Sequence, residues 1–333
     1  MRFGLFFLPA DGPGHRRPAA EAYRELIDSA VAAEELGLDS VWFAEHHFSR
    51  YGGYVPSIPV LGAAVAARTE RIRLGSAATI LPLRDAVETA ESFAMLDVLS
   101  GGRLDVGVGR GFLPREFAGR GVTMAERAGR FAEGLAVLRA AWADEPVTFH
   151  GEHYHLDRVD VVPKPVQRPG PPLWIAASTA RDSFELAGRE GLGLMVNPYN
   201  RTAEELARGL RWYREARGAA GLDPLGGRVL ANQHLFVAPT EEEAAEIPRR
   251  ALMDYLGAVD TAFGREFSPH DYSEMYPGKV LFGTPETVAG KIREWARVGV
   301  TDLCLMQHFG GLPPETAARS LKLFAREVIP CLR

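Results

Sequence analysis

The stretch SVWFAEHH, residues 40–47, joins a short apolar run to a glutamate and two histidines. Its β-branched and aromatic residues are typical of a buried strand, and the polar residues stand where that strand would end. Side chains alternate across a strand, so a regular strand would send His46 and His47 to opposite faces. The pattern therefore favours one histidine in a pocket as a general base over a metal site built from both. A histidine with a purely structural role is the alternative.

Other short apolar runs share this composition and alternate with amphipathic stretches along the whole chain. The runs are RFGLFFL (2–8), IRLGSAATIL (72–81), RLDVGVGRG (103–111), PLWIAAS (172–178), GLMVN (193–197), VLANQHLFVA (229–238) and DLCLMQHF (302–309). Helical periodicity covers 19–36, 60–68, 85–99, 124–142, 182–190, 202–220, 241–256, 285–298 and 314–328. Eight strands alternating with helices predict an α/β protein with the (β/α)8 TIM-barrel fold and a single domain spanning 1–333.

A doubly wound sheet is the rival architecture, but its dinucleotide fingerprint is missing. The stretch GVGRGF (107–112) places Phe112 where the last glycine of GxGxxG belongs, and it follows the fourth strand instead of the first. Two segments interrupt the barrel rhythm. The alternation in 146–163 predicts a β-hairpin insertion, and the long irregular stretch 260–283 is a probable lid loop, with a surface insertion as the alternative.

Composition excludes several classes of function. The chain has 333 residues, 24% of them charged, and a formal net charge of -5, with no basic stripe of the kind that nucleic acid requires. No apolar run has the length needed to span a bilayer, so a membrane is not expected as a partner. The N-terminal apolar stretch lacks a signal-peptide cleavage site. Cys304 and Cys331 have no CxxC spacing, and a cytoplasmic location is expected.

Polar residues collect at the predicted C-terminal ends of the strands, where a barrel places its active site. Arg110 stands among three glycines, and Ser178 and Thr179 precede a predicted helix. A guanidinium and the free N–H groups of a helix start both bind phosphate, so these residues together favour a phosphate-bearing cofactor over a plain helix cap. Asn197 and Gln233 end or lie within later strands and are candidates for a substrate pocket, whereas Phe6 could line either the barrel core or that pocket.

The hairpin insertion contains a second pair of histidines. His153 and His155 lie two residues apart and so share one strand face. No further ligand follows at a metal-binding spacing, and the segment is expected to lie away from the active face, so a solvated hairpin is predicted and no metal site.

The sequence resembles the α chain of bacterial luciferase and the flavin-dependent luciferase-like monooxygenases. The matching stretches are MRFGLFFL (1–8), GLDSVWFAEHHFSRYG (37–52), RLGSAATILPL (73–83), LDVLSGGRLDVGVGRGF (96–112), PLWIAAS (172–178), FGTPE (282–286) and SLKLFAREVIPCL (320–332). They extend from the first predicted strand to the last predicted helix. The combination of EHHF with SAATILP and GVGRG is specific, while the breadth of the family leaves the substrate open.

The resemblance implies a TIM barrel that binds reduced FMN at its C-terminal face. His46 would act as the base near the flavin C4a oxygen adduct. The resemblance assigns the flavin phosphate to Arg110, Arg127, Ser178 and Thr179. It places Ala77 and Ala78 beneath the flavin ring, joined by a non-prolyl cis peptide bond. The substrate pocket would be lined by Phe6, Glu116, Asn197 and Gln233.

The implied activity is that of a two-component monooxygenase. A separate flavin reductase would supply FMNH2, and one atom of O2 would be inserted into a small organic substrate by way of the flavin adduct. A homodimer is expected through the helices beside the second and third strands. Gly109 replaces a reactive cysteine of luciferase, which argues against long-chain aldehyde as the substrate. The alternatives are F420-dependent hydride transfer on the same barrel and a flavin-binding subunit without turnover.

Overall fold

The chain folds into a closed barrel of eight parallel strands surrounded by helices, which confirms the predicted fold class. The computed structural model describes residues 1–10, 18–49, 51–197, 202–264 and 271–333. The barrel strands are β1 (Arg2–Phe7), β2 (Ser40–Phe43), β3 (Arg73–Ser76), β5 (Leu104–Gly109), β8 (Leu173–Ala177), β9 (Gly193–Val196), β10 (Val229–Val237) and β12 (Asp302–Met306). Two short strands, β4 (Thr79–Ile80) and β11 (Leu281–Gly283), pair with β5 and β10, and β6 (Val147–His150) pairs with β7 (His155–Val159).

Parallel pairing continues around the whole barrel without an open edge. Each barrel strand pairs with the next along the chain, and β12 pairs with both β10 and β1, with Leu303 beside Phe3. Residues paired in this way share a face of the sheet, so the register defines which side chains point into the barrel. All the strands run in one direction, and their C-terminal ends form a single face, called the mouth below.

The helices cover the outside of the barrel. They are α1 (Ala19–Glu35), α2 (Ile58–Ala66), α3 (Ala86–Leu99), α4 (Pro114–Arg120), α5 (Arg127–Ala141), α6 (Arg181–Arg189), α7 (Ala203–Ala219), α8 (Glu241–Glu246), α9 (Arg249–Ala262), α10 (Tyr272–Gly278), α11 (Pro285–Val298) and α12 (Pro314–Leu323). Short helical turns occupy Leu81–Leu83, Phe324–Val328 and Ile329–Cys331. In α1, buried Ala22, Leu26, Ala30 and Ala33 recur at helical spacing and face the core.

The predicted helices are present, with three differences. The stretch predicted as one helix over 241–256 is two, because Pro248 separates α8 from α9. The stretch 260–283 is more regular than predicted, since α9 extends to Ala262 and α10 and β11 follow; residues 265–270 of the predicted lid lie outside the described residues. Helix α4 was not predicted at all.

Large side chains fill the barrel interior below the mouth. Trp42 packs over Gly75 and Trp174 over Gly193, so a Cβ atom at either glycine would collide with an indole ring. The two indoles meet edge to face with ring centroids 5.3 Å apart. The two indoles thus fill the barrel interior below the mouth.

The hairpin of β6 and β7 lies outside the barrel against α5. The carboxylate of Glu133 on α5 accepts hydrogen bonds from the backbone N–H groups of Glu152, His153 and Tyr154 at the hairpin tip. The Tyr154 hydroxyl donates to the carbonyl oxygen of Arg84 at 3.1 Å. None of the described helices combines the length and apolar content needed to cross a membrane.

Candidate active site

His46 lies at the mouth, beyond the last residue of β2, and is held by a buried carboxylate. Its Nδ1 lies 3.0 Å from Oε1 of Glu116, and the same oxygen accepts the backbone N–H of His47 at 2.8 Å. Glu116 is fully buried. Because a carboxylate only accepts hydrogen bonds, Nδ1 is the donor in this contact, and in the neutral form of the ring Nε2 then carries the lone pair. No described residue bonds to Nε2, and the His46 side chain keeps 9% of its surface exposed.

His47 points away from His46 into a separate network of charges. Its Nε2 lies 2.9 Å from Oε1 of Glu45, whose two oxygens both accept from Nε of Arg84 at 3.0 Å. The Arg84 guanidinium also donates to the carbonyl of Pro56. This network fixes the chain on either side of His46. The two histidines therefore diverge, and the described residues contain no cluster of three or more metal-ligating side chains.

Helix α4 brings Glu116 to His46 across the mouth. Pro114 occupies the first turn, and Gly121 ends the helix in the left-handed conformation with φ of 67°. Proline at a helix start and glycine just past its end are common signals, so the sequence LPREFAGRG carried the information that the prediction missed. Glu116 is predicted in the substrate pocket; its fully buried carboxylate lies behind His46 and bonds to the ring through Oε1.

Small side chains form the floor of the mouth between β3, β5 and β8. The peptide bond between Ala77 and Ala78 is cis, as the resemblance implied. Ala77, Ala78 and Ala176 are only partly buried. A Cβ atom at Gly109 would contact the methyl groups of Ala78 and Ala176 at 3.3 and 3.4 Å. The floor is consequently lined by small side chains that are partly open to the mouth.

Two arginines and a helix start lie at one end of this floor. Arg110 follows β5 and its Nη1 lies 3.2 Å from Oδ2 of Asp182 in the first turn of α6. Arg127 donates from Nη1 to the carbonyl of Gly111 at 3.3 Å. A hydrogen bond from its own backbone N–H and the Arg110 guanidinium hold the pKa of Asp182 below its usual value. The structure thus brings Arg110 to the start of α6, where the predicted phosphate ligands Ser178 and Thr179 are exposed.

The remaining predicted pocket residues point to different faces of the barrel wall, because side chains alternate along a strand. Phe6 belongs to the buried cluster of the barrel interior, and Asn197 follows β9 on the inner face. Gln233 was predicted to line the pocket, but the structure contradicts this. Its neighbours on the same strand face, Ala231 and Leu235, belong to the core between the strands and the helices. The Gln233 side chain therefore points outward from β10, towards the helices and away from the barrel interior.

Aromatic rings surround His46 at the rim of the mouth. The His46 ring lies 5.0 Å from the ring of Tyr51 and 5.9 Å from that of Phe112. Phe112 in turn stacks on Phe263 with centroids 4.9 Å apart. Phe112 keeps 46% of its surface exposed. These rings shield His46 from the side and leave an apolar edge beside the floor.

A family model described as luciferase-like monooxygenase matches residues 1–302. This chain belongs to that family. Among solved structures, a monooxygenase named RslO1 from Streptomyces bottropensis is similar, with 34% identity, a TM-score of 0.91 and coverage of 100% of both chains. The barrel fold, the cis peptide and the histidine at the mouth agree with this family assignment.

Curated relatives within the luciferase-like family differ in cofactor. The oxygenase component of a flavin-dependent trigonelline monooxygenase from Acinetobacter baylyi is 27% identical over 263 residues, which cover 78% of this chain and 71% of that protein. An F420-dependent glucose-6-phosphate dehydrogenase from Kineococcus radiotolerans is 29% identical over 330 residues, with coverage of 93% of each. The matches to the first two curated relatives span only 64% and 51% of their lengths.

Sequence reasoning missed several residues that build this luciferase-like site. Arg84 and Glu45 lie 39 positions apart in the chain, and Tyr51 and Phe263 meet the site from different loops. A single arginine, tyrosine or phenylalanine has no sequence pattern around it that identifies it as part of a site. Glu45 is the exception, because it directly precedes the two histidines and the resemblance implied a supporting role for it.

Proposed function

We propose that this protein is the oxygenase component of a two-component system that uses FMNH2 and O2 to insert one oxygen atom into a small organic substrate. The observation that carries the proposal is His46, whose Nδ1 is held by buried Glu116 while Nε2 stays without a described partner at the mouth. Family membership supports a flavin-dependent oxygenase. FMN, in place of F420, and the use of a separate reductase are parts of the proposal.

The residues present fit FMN. The floor of Ala77, Ala78 and Gly109 carries only small side chains, and a Cβ atom at Gly109 would come within 3.3 Å of the Ala78 methyl group. Arg110 lies at one end of that floor, and the start of α6 provides backbone N–H groups and the hydroxyls of Ser178 and Thr179. Guanidinium groups and helix starts bind phosphate. Arg127, which contacts the loop after β5, supplies a second positive charge.

In this proposal, bound FMNH2 supplies the electrons and the reaction with O2. The chain supplies position and proton control. His46 accepts or returns a proton at Nε2, and the Glu116 carboxylate stabilises the ring when it becomes positively charged. Arg84 and Glu45 hold the loop that carries His46. The stacked rings of Phe112 and Phe263 keep water from the reacting atoms.

Stopped-flow absorbance tests the role of His46. The wild-type protein with FMNH2 is mixed with oxygenated buffer, and we expect a transient whose absorbance differs from reduced and oxidised flavin. His46→Ala should bind FMNH2 within a few fold of wild type but shorten or abolish the transient. His153→Ala, a histidine on the outer hairpin, is the control and should behave as wild type. Wild-type oxidation that matches free flavin would overturn the proposal.

The phosphate site has its own test. Arg110→Ala removes a charge-assisted contact of about 2 kcal/mol, so the FMN dissociation constant should rise about 30-fold. Arg139→Ala is the control, because Arg139 pairs with Glu190 on the barrel exterior. An FMN affinity unchanged by Arg110→Ala would remove this residue from the cofactor site.

F420-dependent hydride transfer is the second candidate, favoured by the similarity to the F420-dependent dehydrogenase over nearly the whole chain. The same titration with F420 separates the two. Tighter binding of F420 than of FMN, together with an oxidation rate that O2 does not change, would establish the second candidate and reject the first.

We also propose a homodimer built on α2 and α3. Four apolar side chains on these helices are exposed: Val60 (72%), Met95 (53%), Val98 (45%) and Leu99 (62%). A cluster of this kind is typical of a subunit interface. Light scattering should show a dimer for wild type and a monomer for Leu99→Glu. Leu225→Glu, at a residue 74% exposed elsewhere on the surface, is the control; a monomeric wild type would refute the proposal.

A further inference from the structure

Two asparagine side chains meet on the inner face of the barrel. In the register of β9 and β10, Leu230 pairs with Met195 and Ala231 with Val196, so Asn232 comes beside Asn197. The Oδ1 atoms of both asparagines are buried and accept no hydrogen bond. Asn232 is 4% exposed. The two unpaired acceptors therefore occupy neighbouring positions, one on each strand.

The pleat directs both carboxamides into the barrel. Met195 packs into the space that a Cβ atom on Gly107 would take, which places it inside the barrel. Asn197 is two residues further along and shares that face. On its other side Asn232 pairs with Cys304, whose Sγ would contact a Cβ on Gly4 in the same interior. Both asparagines thus lie between the closed lower layer and the mouth.

This part of the interior is polar but uncharged. His234 is the next inward residue of β10, and burial lowers its pKa to about 3, so its ring is neutral at physiological pH. The inner-face residues of β9 and β10 within the described chain are Gly193, Met195, Asn197, Leu230, Asn232, His234 and Phe236. A charged ligand group would find no opposite charge there, and burying it unpaired is unfavourable.

A buried acceptor without a donor destabilises a protein, so such atoms are normally satisfied by water or by a ligand. The predicted flavin contacts lie on β3, β5 and β8, and Asn232 lies on β10, two strands beyond β8. The asparagines therefore face the part of the interior beside the flavin floor. The exposed ring of Phe112, stacked on Phe263, offers an aromatic surface at the rim.

We propose that Asn232, with Asn197 beside it, anchors the substrate by accepting the one hydrogen bond that a hydroxyl group donates, and that the substrate is an uncharged aromatic ring compound. The inference rests on the proposed function, because it assigns the second ligand of the same site. Asn232 determines specificity in this scheme and takes no part in proton transfer.

Three related probes test the assignment: 2-naphthol, 2-methoxynaphthalene, which lacks the hydroxyl donor, and 2-naphthoate, which is charged. Their dissociation constants are measured by fluorescence titration, with and without FMN. Wild type should bind 2-naphthol about tenfold more tightly than 2-methoxynaphthalene, as one added hydrogen bond predicts, and should bind 2-naphthoate more weakly than 2-naphthol. Asn232→Leu should reduce the preference for 2-naphthol to about twofold or less.

The matched control is Gln233→Leu, which removes a buried, unpaired carboxamide one position along, on the opposite face of β10. It should keep the tenfold preference. Asn232→Ala and Asn197→Leu are further variants in case Asn232→Leu fails to fold, and each should weaken the preference. Thermal midpoints identify the folded variants.

Several outcomes would overturn the inference. They are equal binding of 2-naphthol and 2-methoxynaphthalene by wild type, tighter binding of 2-naphthoate, and an unchanged preference in the folded asparagine variants. A loss of FMN affinity in Asn232→Leu without any change in the probe preference would assign the residue to the cofactor instead. Failure of the proposed function is separately visible, because wild type would then produce no flavin transient whatever the probe data show.

Discussion

The two ends of the barrel treat their buried polar groups differently. At the N-terminal end, Asp105 receives Nε of Arg73, the indole N–H of Trp174 and the guanidinium of Arg228. Arg228 also pairs with Asp302 at 2.6 Å and lies over the Trp174 ring. These groups form one connected network in which each charge has a partner of opposite sign.

At the mouth, several buried polar atoms lack a partner within the described chain. They are Oε2 of Glu116 and Oδ1 of Asn197 and Asn232. Unpaired buried groups destabilise a fold, so their presence at the mouth needs another reason. We infer that at the mouth incomplete pairing marks groups whose partner is a ligand, whereas full pairing marks polar groups that stabilise the barrel. Gln233, on the outer face of β10, is also unpaired within the described residues, so the rule applies to the mouth alone.

The largest effect is expected from Asp105→Asn at the paired end. The substitution keeps an acceptor for Trp174 but leaves two arginines facing a neutral amide. Breaking a buried ion pair costs several kcal/mol, and because Arg73 and Arg228 are 30% exposed, we expect a loss of about 3 kcal/mol in unfolding free energy. Urea denaturation measures it. FMN affinity should stay within about twofold, and a loss of FMN binding in the folded variant would break the comparison.

Glu116→Gln makes the equivalent change at the mouth, where we expect stability to be kept and the reaction to slow. The amide oxygen can still accept from His46 and the backbone of His47, so the unfolding free energy should change by less than about 1 kcal/mol. Loss of the negative charge should lower the rate of proton transfer at His46 by about 10- to 100-fold. Stopped-flow oxidation of bound FMNH2 reports that rate. A destabilisation as large as that of Asp105→Asn would show that Glu116 is structural.

The sequence predicted the barrel and the placement of single residues better than the contacts between them. Strand order follows from local patterns, and alternation predicted correctly that His46 and His47 would diverge. The contact between Glu116 and His46 spans 70 residues, and nothing in the local pattern encodes it. Gln233 was assigned to the pocket, although the same alternation rule, applied to β10, places it on the strand face opposite Asn232. The α4 signal lay in Pro114 and Gly121, but its seven residues are too few for a clear helical period.

Glu241 tests whether a position near the mouth or the pairing of its polar atoms decides a residue's role. It lies on the mouth side of the barrel, yet both of its carboxylate oxygens accept hydrogen bonds. It begins α8 after β10, and its oxygens accept from Thr284, Thr287 and the Tyr276 hydroxyl. Burial alone would raise the pKa of Glu241, but the hydrogen bonds from Thr287, Thr284 and Tyr276 outweigh it and lower the pKa to about 2.

If pairing decides the role, Glu241→Gln should reduce stability and leave catalysis unchanged. A depressed carboxylate pKa contributes stability above the unfolded value of 4.5, and this contribution is lost as the pH falls towards 2. Because Glu241 is exposed, solvent screening limits the loss at pH 7 to about 1 kcal/mol. Urea denaturation should show this difference from wild type at pH 7 and a smaller one below pH 4.5. Glu242→Gln in the same helical turn is the control and should cost less. If Glu241→Gln instead slowed flavin oxidation at unchanged stability, nearness to the mouth would be the better guide to function than incomplete pairing.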